Sequence, residues 1–177
     1  MRDETVHLPL TGIRLTDART GGFVELGELP GVRAITLIRH RHCLLCQEHV
    51  IRVQEELTGT SIPLVTVGFS PLEALAALAE DLGLRGPMLA DPDRVLYGVL
   101  GLRRAPVWRV YSPATMAFYA EASRRGCTLH KPVEDTRQLG GDALAVDGVI
   151  TRCWLPATPV DRVEPGEVAD AARVLVS

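Results

Sequence analysis

The segment that decides the fold runs from residue 32 to residue 50 and reads VRAITLIRHRHCLLCQEHV. Its first part, residues 32–39, is rich in β-branched residues, which predicts a buried strand. Between Cys43 and Leu57 the apolar residues recur at helical spacing, which predicts an amphipathic helix. The segment is therefore expected to form a strand that leads directly into a helix, with Cys43 and Cys46 at the beginning of that helix.

The flanking sequence supplies further strands and helices in alternation. Residues 8–29 predict a β-hairpin with its turn at Gly21 and Gly22. The other strands are expected at residues 62–69 and 88–90, and in a hairpin of residues 142–146 and 149–155. The other helices are expected at residues 71–83 (after Ser70 as N-cap), 91–100, 113–125 and 165–176, whereas residues 103–111 favour neither type. This order predicts a single α/β domain over residues 1–177, in which helices flank a central mixed sheet.

The composition is that of an ordinary globular domain. Of the 177 residues, 46% are hydrophobic and 23% are charged, which argues against a disordered chain. The net charge of −3 and the aromatic content of 5% argue against a basic or base-stacking face for nucleic acid. No apolar run approaches the ~20 residues of a membrane span. We therefore expect a cytoplasmic protein without nucleic-acid or membrane partners, in which closely spaced cysteines are catalytic or bind a metal.

Two of the four cysteines form a closely spaced pair. Cys43 and Cys46 are separated by two residues, which places them on neighbouring positions of one helix face at a separation compatible with a disulfide. Cys43, in the first turn, is expected to be the more exposed of the two. The other cysteines, Cys127 and Cys153, have no partner motif and are expected to pack in or near the core. Since a helix N-terminus stabilises a thiolate, the pattern predicts that Cys43 attacks a disulfide or peroxide and that Cys46 resolves the product.

Basic and imidazole side chains directly precede the pair: Arg39, His40, Arg41 and His42. Each arginine, and each histidine when it is protonated, would favour the thiolate form of Cys43. We therefore predict supporting roles for Arg39, Arg41 and His42.

Two other interpretations of this segment stay open. Cys43, Cys46 and His49, with His40 or His42, offer the ligand types of a zinc site, although structural zinc sites usually draw their ligands from two separated loops. Both cysteines could instead be small core residues, as free cysteines often are. His49 by itself is expected to be a surface or packing residue of the helix.

The sequence also resembles a known family. Residues 39–50 resemble the active-site segment of the peroxiredoxin-like branch of the alkyl hydroperoxide reductase/thiol-specific antioxidant family, which often reads Arg-His-x-Gly-Cys-x-x-Cys-Arg-Glu-His. Residues 138–142, which read QLGGD, resemble that family's Gln-Leu-Gly-Gly-Asp-Phe stretch before a strand. Residues 89–92 and 97–102 also resemble peroxiredoxin segments. The resemblance covers about residues 10–176.

The resemblance implies a thioredoxin-like fold with the cysteine pair at the start of the first long helix. The family's reactive cysteine maps onto Cys43 and its partner onto Cys46, while Gly140 and Gly141 map onto the loop that faces the cysteines. We expect no cofactor and no metal. The expected partners are a thiol reductant, either a thioredoxin-like protein or a low-molecular-weight thiol, and a small-molecule or protein substrate that carries a disulfide or peroxide.

The segment also departs from the peroxiredoxin pattern. Residues 39–42 replace the proline and threonine that precede a peroxidatic cysteine, so the threonine hydroxyl that orients a peroxide is missing. Gln47 stands in place of the arginine after the second cysteine. We therefore expect a thiol-dependent oxidoreductase that cycles Cys43 and Cys46 between dithiol and disulfide. The alternatives are a peroxidase that uses Cys43, and a binding or biosynthetic accessory protein with a specialised small-molecule substrate.

Overall fold

The expected strand and helix lie at the centre of a mixed sheet. A computed structural model describes residues 1–176 and contains one sheet of eight strands, in the order β1-β8-β7-β4-β5-β6-β2-β3. The strands are β1 (Arg2–Pro9), β2 (Arg14–Asp17), β3 (Phe23–Glu25), β4 (Val32–Leu37), β5 (Leu64–Gly68), β6 (Met88–Ala90), β7 (Gly141–Val146) and β8 (Val149–Leu155). Strands β4, β5 and β6 are parallel to one another and the other pairs are antiparallel. The prediction of a central mixed sheet is confirmed.

Helices cover both faces of this sheet. They are α1 (Leu44–Glu56), α2 (Leu72–Asp81), α3 (Val95–Val99), α4 (Val107–Val110), α5 (Pro113–Arg124) and α6 (Pro165–Val174). The buried side chains of α1, α2 and α6 pack in one core cluster, and those of α3 pack in a second cluster. Alternate residues of β4 point into the two clusters: Ala34 into the first, Ile35 and Leu37 into the second. The predicted layers are thus present.

The carboxyl end of β4 positions the cysteine pair. Strand β4 is hydrogen-bonded on both sides, to β5 and to β7, so its end is fixed in the middle of the sheet. The hydroxyl of Tyr97 in α3 donates to the carbonyl oxygen of Ile38 at 2.5 Å, and it also lies 3.2 Å from the carbonyl oxygen of Val67 in β5. Helix α1 then begins at Leu44, with Cys43 as its N-cap residue. The pair is therefore anchored to the ends of two parallel strands.

Both predicted hairpins are present. In the first, Thr16 pairs with Phe23, and Gly21 adopts a φ of 71° in the turn. In the second, Asp147 and Gly148 join β7 to β8 with φ values of 47° and 74°. A positive φ at both central residues is the geometry that an Asp-Gly turn favours.

Several element boundaries differ from the expectations. Strand β1 was not predicted, because its charged residues alternate with weakly apolar ones and give no clear strand pattern. Such a sequence is typical of a half-exposed edge strand. The N-cap of α2 is Pro71 rather than Ser70, whose hydroxyl is buried. Helix α3 begins at Val95, not at residue 91. The Asp91 carboxylate precedes the helix and accepts hydrogen bonds from the backbone N–H groups of Val95 and Leu96, so it caps the helix N-terminus. The segment without a clear signal, residues 103–111, contains the short helix α4.

The length and composition of the helices bear on membrane association. Within residues 1–176, no helix combines the length and the apolar character that crossing a bilayer requires.

Candidate active site

The two sulfur atoms of the cysteine pair lie in contact. Cys46 Sγ is 2.9 Å from Cys43 Sγ and donates a hydrogen bond to it, and both residues are free thiols. Forming a disulfide of about 2.05 Å requires an approach of only about 0.9 Å. The expectation that Cys43 is the more exposed residue is wrong, because Cys43 is 0% and Cys46 is 2% exposed. Tyr119 of α5 lies over Cys43, with its hydroxyl 3.8 Å from the sulfur.

Cys43 is the more acidic of the two thiols. Burial opposes its ionisation, but the hydrogen bond from the Cys46 thiol and the charge of the Arg39 guanidinium outweigh burial and lower the pKa of Cys43 to about 6. Burial and the neighbouring negative Cys43 sulfur both raise the pKa of Cys46, which lies well above its usual range. At neutral pH the pair therefore consists of a Cys43 thiolate and a Cys46 thiol.

Arg39 is the predicted supporting residue that contacts the cysteines. Its guanidinium Nη1 lies 3.7 Å from Cys43 Sγ, and its backbone N–H points to Cys46 Sγ at 3.4 Å. Nη2 donates to the carbonyl oxygen of Thr136 at 2.7 Å, which fixes the orientation of the guanidinium. The side chain is only 4% exposed, so its charge acts on the sulfur with little screening by solvent.

The other basic residues before the pair have different surroundings. Arg41 lies 3.4 Å from the Glu134 carboxylate, and the His42 ring is 3.1 Å from the carbonyl oxygen of Lys131. His40 is buried, and burial together with the Arg39 charge lowers its pKa to about 3. His40 is therefore neutral at pH 7, so the protonation under which it would favour the thiolate does not occur there. Supporting roles for Arg41 and His42 remain predictions.

A cavity of about 210 Å³ lies beside the cysteine pair. Its wall combines the segment before Cys43 with α4, α5 and residues 129–136, and includes Arg39, His40, Val110, Met116, Tyr119 and Leu129. Two of these residues, Arg39 and Tyr119, also contact Cys43 Sγ. The reactive sulfur is thus separated from the cavity by side chains that line it.

A buried polar network lies on the sheet side of α1. Asp142 in β7 is 1% exposed and accepts hydrogen bonds from Thr36 at 2.8 Å and from Arg162 at 3.1 Å, and His49 Nε2 lies 3.0 Å from the same carboxylate oxygen. Burial opposes the charge of Asp142, but Arg162 and His49 outweigh it and lower its pKa to about 2. The charge of Arg162 also acts on the Cys46 thiol. This network, like Tyr119, was not predicted from the sequence, although His49 shares a helix face with Cys46.

The remaining predicted residues have packing environments. Gly140 and Gly141 are buried, and a Cβ atom on Gly140 would lie 2.1 Å from the carbonyl oxygen of Leu37. Close backbone packing therefore accounts for Gly140, and a substrate-facing role for the two glycines remains a prediction. Cys153 is buried in β8, as expected, while Cys127 is half-buried.

The residues considered as zinc ligands do not converge. His49 is bonded to Asp142, and within the described residues 1–176 no three His, Cys, Asp or Glu side chains form a group that could hold a metal ion.

The architecture was compared with that of solved structures. The chain matches no protein-family model and no curated protein sequence. It is similar to peroxiredoxin Q from Xanthomonas campestris, with a TM-score of 0.62 and 15% identity over 96% of this chain and 92% of that one. It is also similar to the peroxidoxin BcpB of Mycobacterium tuberculosis, with a TM-score of 0.63 and 14% identity over 97% of this chain and 96% of that one. The chain has a thioredoxin-like fold.

A further similarity extends this fold beyond peroxiredoxins. A secreted disulfide oxidoreductase of M. tuberculosis, described as homologous to E. coli DsbE, gives a TM-score of 0.58 and 11% identity over 92% of this chain and 96% of that one. The thioredoxin-like fold implied by the resemblance is therefore confirmed, and the proteins that share it include peroxiredoxins and a disulfide oxidoreductase.

Proposed function

We propose that the chain is a thiol-dependent oxidoreductase that cycles Cys43 and Cys46 between dithiol and disulfide. The observation that carries this proposal is the hydrogen bond of 2.9 Å from the Cys46 thiol to Cys43 Sγ, next to the buried Arg39 guanidinium. This arrangement gives the two sulfurs unequal acidity, which is what a nucleophile and a resolving residue require. The location after a central strand, at the start of a helix, is the one at which thioredoxin-like enzymes carry their reactive cysteines.

The first step is attack of the Cys43 thiolate on a substrate disulfide. An S–S bond forms between Cys43 and one half of the substrate, and the other half leaves as a thiolate that takes a proton. Cys46 then loses its proton and attacks Cys43 Sγ, which releases the second half as a thiol. The substrate disulfide is reduced to two thiols, and Cys43 and Cys46 are oxidised to a disulfide.

An external reductant must regenerate the dithiol. A thioredoxin-like protein or a low-molecular-weight thiol would transfer two electrons to the Cys43–Cys46 disulfide by the same exchange chemistry. We propose a reducing compartment such as the cytoplasm for this cycle, because the thiols are maintained there.

Peroxide reduction is the second candidate, and the Tyr119 hydroxyl favours it. The Cys43 thiolate would attack one peroxide oxygen, the O–O bond would break, and the other oxygen would take a proton and leave as an alcohol or water. Cys46 would then attack the Cys43 sulfenic acid and release water. Tyr119 provides a hydroxyl 3.8 Å from Cys43 Sγ, although the threonine of the peroxiredoxin pattern is missing. An antioxidant role would follow from this activity.

The test begins with a titration of thiols before and after mild oxidation. The wild-type chain is expected to lose two titratable thiols, and mass spectrometry of the digest is expected to find a Cys43–Cys46 disulfide. The Cys43→Ser variant should lose all redox activity, whereas Cys46→Ser should trap a mixed disulfide with the substrate on Cys43. Cys153→Ser, at a buried cysteine remote from the pair in the sheet, is the matched control and should behave as wild type.

Two assays then separate the reactions. If the chain reduces insulin disulfides faster than hydrogen peroxide or organic peroxides, its activity is disulfide exchange. If it reduces the peroxides faster, it is a peroxidase. If Cys43→Ser leaves every activity unchanged and no Cys43–Cys46 disulfide forms under oxidation, the chain is a binding protein with unused thiols and the proposal is wrong.

A further inference from the structure

Two side chains in the wall of the cavity beside the cysteine pair carry buried nitrogen atoms without partners. Arg39 Nε and His40 Nδ1 are buried nitrogen atoms with no hydrogen-bond partner within residues 1–176. Both residues line the cavity and are only 4% and 5% exposed. A buried nitrogen that lacks a partner costs free energy, so such atoms are rare unless a ligand or ordered water binds them. Arg39 Nε can only donate and therefore points to an occupant with an oxygen acceptor, and His40 donates to the same occupant in the tautomer that carries the proton on Nδ1.

The charge of this site is also incomplete. Arg39 contacts the Cys43 sulfur and the Thr136 carbonyl oxygen, and the groups whose charges act on it are Cys43, Cys46 and Tyr119, none of which is a carboxylate. When Cys43 and Cys46 form a disulfide, the thiolate disappears and the buried guanidinium has no carboxylate partner among residues 1–176. A buried cation without an anion is strongly unfavourable. An anionic occupant would supply the missing charge in that state.

Apolar side chains form another part of the wall. Val110, Met116 and Leu129 lie in the wall together with Arg39 and His40, so an occupant meets both a positive charge and hydrocarbon. A cavity of about 150 Å³ accommodates benzene. The cavity here, at about 210 Å³, therefore fits a ring with a short substituent.

We propose that this cavity binds a small organic carboxylate, about the size of a substituted benzene ring, whose carboxylate oxygens lie against Arg39 and His40. The apolar part of the molecule packs against Val110, Met116 and Leu129. The Arg39 guanidinium is then neutralised by the Cys43 thiolate in the dithiol state and by the bound carboxylate in the disulfide state. The binding of this carboxylate does not depend on the proposed function. The further inference that the carboxylate belongs to the molecule that Cys43 reduces does rest on the proposed function.

The test measures binding without redox chemistry. Isothermal titration calorimetry at about pH 7.5, where carboxylic acids are ionised, compares 3-phenylpropionate with the neutral 3-phenylpropan-1-ol. On the Cys43→Ser variant, which lacks the thiolate, the carboxylate should bind at least tenfold more tightly than the alcohol. The reduced wild-type chain should bind the carboxylate about tenfold more weakly than Cys43→Ser does, because its thiolate already neutralises Arg39.

Variants in the Cys43→Ser background locate the binding site. His40→Phe removes the unpartnered nitrogen, and Leu129→Glu places a negative charge in the wall, so each should weaken binding of the carboxylate at least tenfold. Leu129 is 47% exposed, so this variant is expected to fold. Leu72→Glu, at a residue of α2 that is 37% exposed and outside the cavity wall, is the matched control and should leave the affinity unchanged.

Three results would overturn the proposal: equal affinity for the acid and the alcohol, no binding of either, or an affinity that Leu129→Glu does not change. None of them bears on the redox cycle, which the thiol titration tests separately. Conversely, tight binding of the carboxylate to a chain that forms no Cys43–Cys46 disulfide would support this site while rejecting the proposed function.

Discussion

Cys46 Sγ donates a hydrogen bond to Cys43 Sγ over 2.9 Å at the start of a helix. The direction of this bond assigns the two sulfurs different protonation states, because the donor keeps its proton and the acceptor becomes easier to ionise. The nearby Arg39 guanidinium stabilises the same negative sulfur. The chemistry of the pair is therefore set by contacts within a few ångströms and not by the net charge of −3 of the whole chain.

Removing the Cys46 donor should make Cys43 less acidic. In Cys46→Ala the thiolate of Cys43 loses its hydrogen bond, so its pKa should rise above the value of about 6. The thiolate fraction would then increase at higher pH than in the wild type. The ultraviolet absorbance of the thiolate and the rate of alkylation, each followed against pH, measure the shift. Cys153→Ser should leave the midpoint unchanged, and an unchanged midpoint in Cys46→Ala would contradict the assignment.

Tyr119→Phe should raise the pKa of Cys43 by up to about one unit, because one hydrogen bond to a charged group is lost. Burial and the negative Cys43 sulfur raise the pKa of Tyr119 above its usual range, so the wild-type hydroxyl retains the proton it donates. Tyr111→Phe is the matched control, since this hydroxyl lines the same cavity but lies 3.4 Å from the Thr136 hydroxyl. Equal shifts in the two variants would show that the cavity, and not the contact with sulfur, determines the effect.

Asp142→Asn should destabilise the fold by about 3–5 kcal/mol, because it leaves the Arg162 guanidinium, on a side chain that is only 9% exposed, without its partner at 3.0 Å. Chemical denaturation measures the free energy of unfolding. Asp3→Asn removes an exposed carboxylate that pairs with Arg152 at 2.6 Å, and this control should cost at most about 1 kcal/mol. Similar losses in the two variants would contradict a special role for the buried network.

The Asp142 carboxylate also predicts that the free energy of unfolding decreases at low pH. The pKa of Asp142 is lowered by folding, to about 2, so its contribution to stability is complete above the unfolded pKa of about 3.9 and is lost as pH falls through about 2. Thermal unfolding followed over this range should show a steeper decline for wild type than for Asp142→Asn. Parallel declines would assign the acid sensitivity to other groups.

Gly140→Ala should destabilise the fold by about 1–3 kcal/mol, since the added Cβ atom would lie 2.1 Å from the Leu37 carbonyl oxygen. Gly98→Ala, in α3, is the control. There the added atom meets no other atom within 4 Å and the helix should gain about 0.5–1 kcal/mol. If Gly140→Ala keeps wild-type stability but loses activity, the substrate-facing role predicted from the sequence is favoured over packing.

Local sequence patterns predicted most of the fold. The β-branched run of β4, the helical spacing after Cys43 and the Asp147-Gly148 turn each determine structure within a few residues, so their elements were located correctly. Strand β1 was missed because an exposed edge strand owes its structure to pairing with β8, which lies about 150 residues away.

The site was predicted only in part for the same reason. Cys43, Cys46 and Arg39 are close in sequence, and both the cysteine spacing and the adjacent charge could be recognised. Tyr119 reaches Cys43 from 76 residues further along the chain, and Asp142 meets His49 across 93 residues. Such contacts follow from how α5 and β7 pack, which no local periodicity specifies.

The complete burial of Cys43 has a consequence for the durability of the protein. A stabilised thiolate that is open to solvent is readily converted by excess oxidant to sulfinic and then sulfonic acid, forms that ordinary thiols do not reverse. Tyr119 and Arg39 restrict access to this sulfur, and Cys46 lies close enough to capture a sulfenic acid as soon as it forms. The enclosed pair should therefore survive repeated oxidative stress, at the cost of slower reaction with bulky targets.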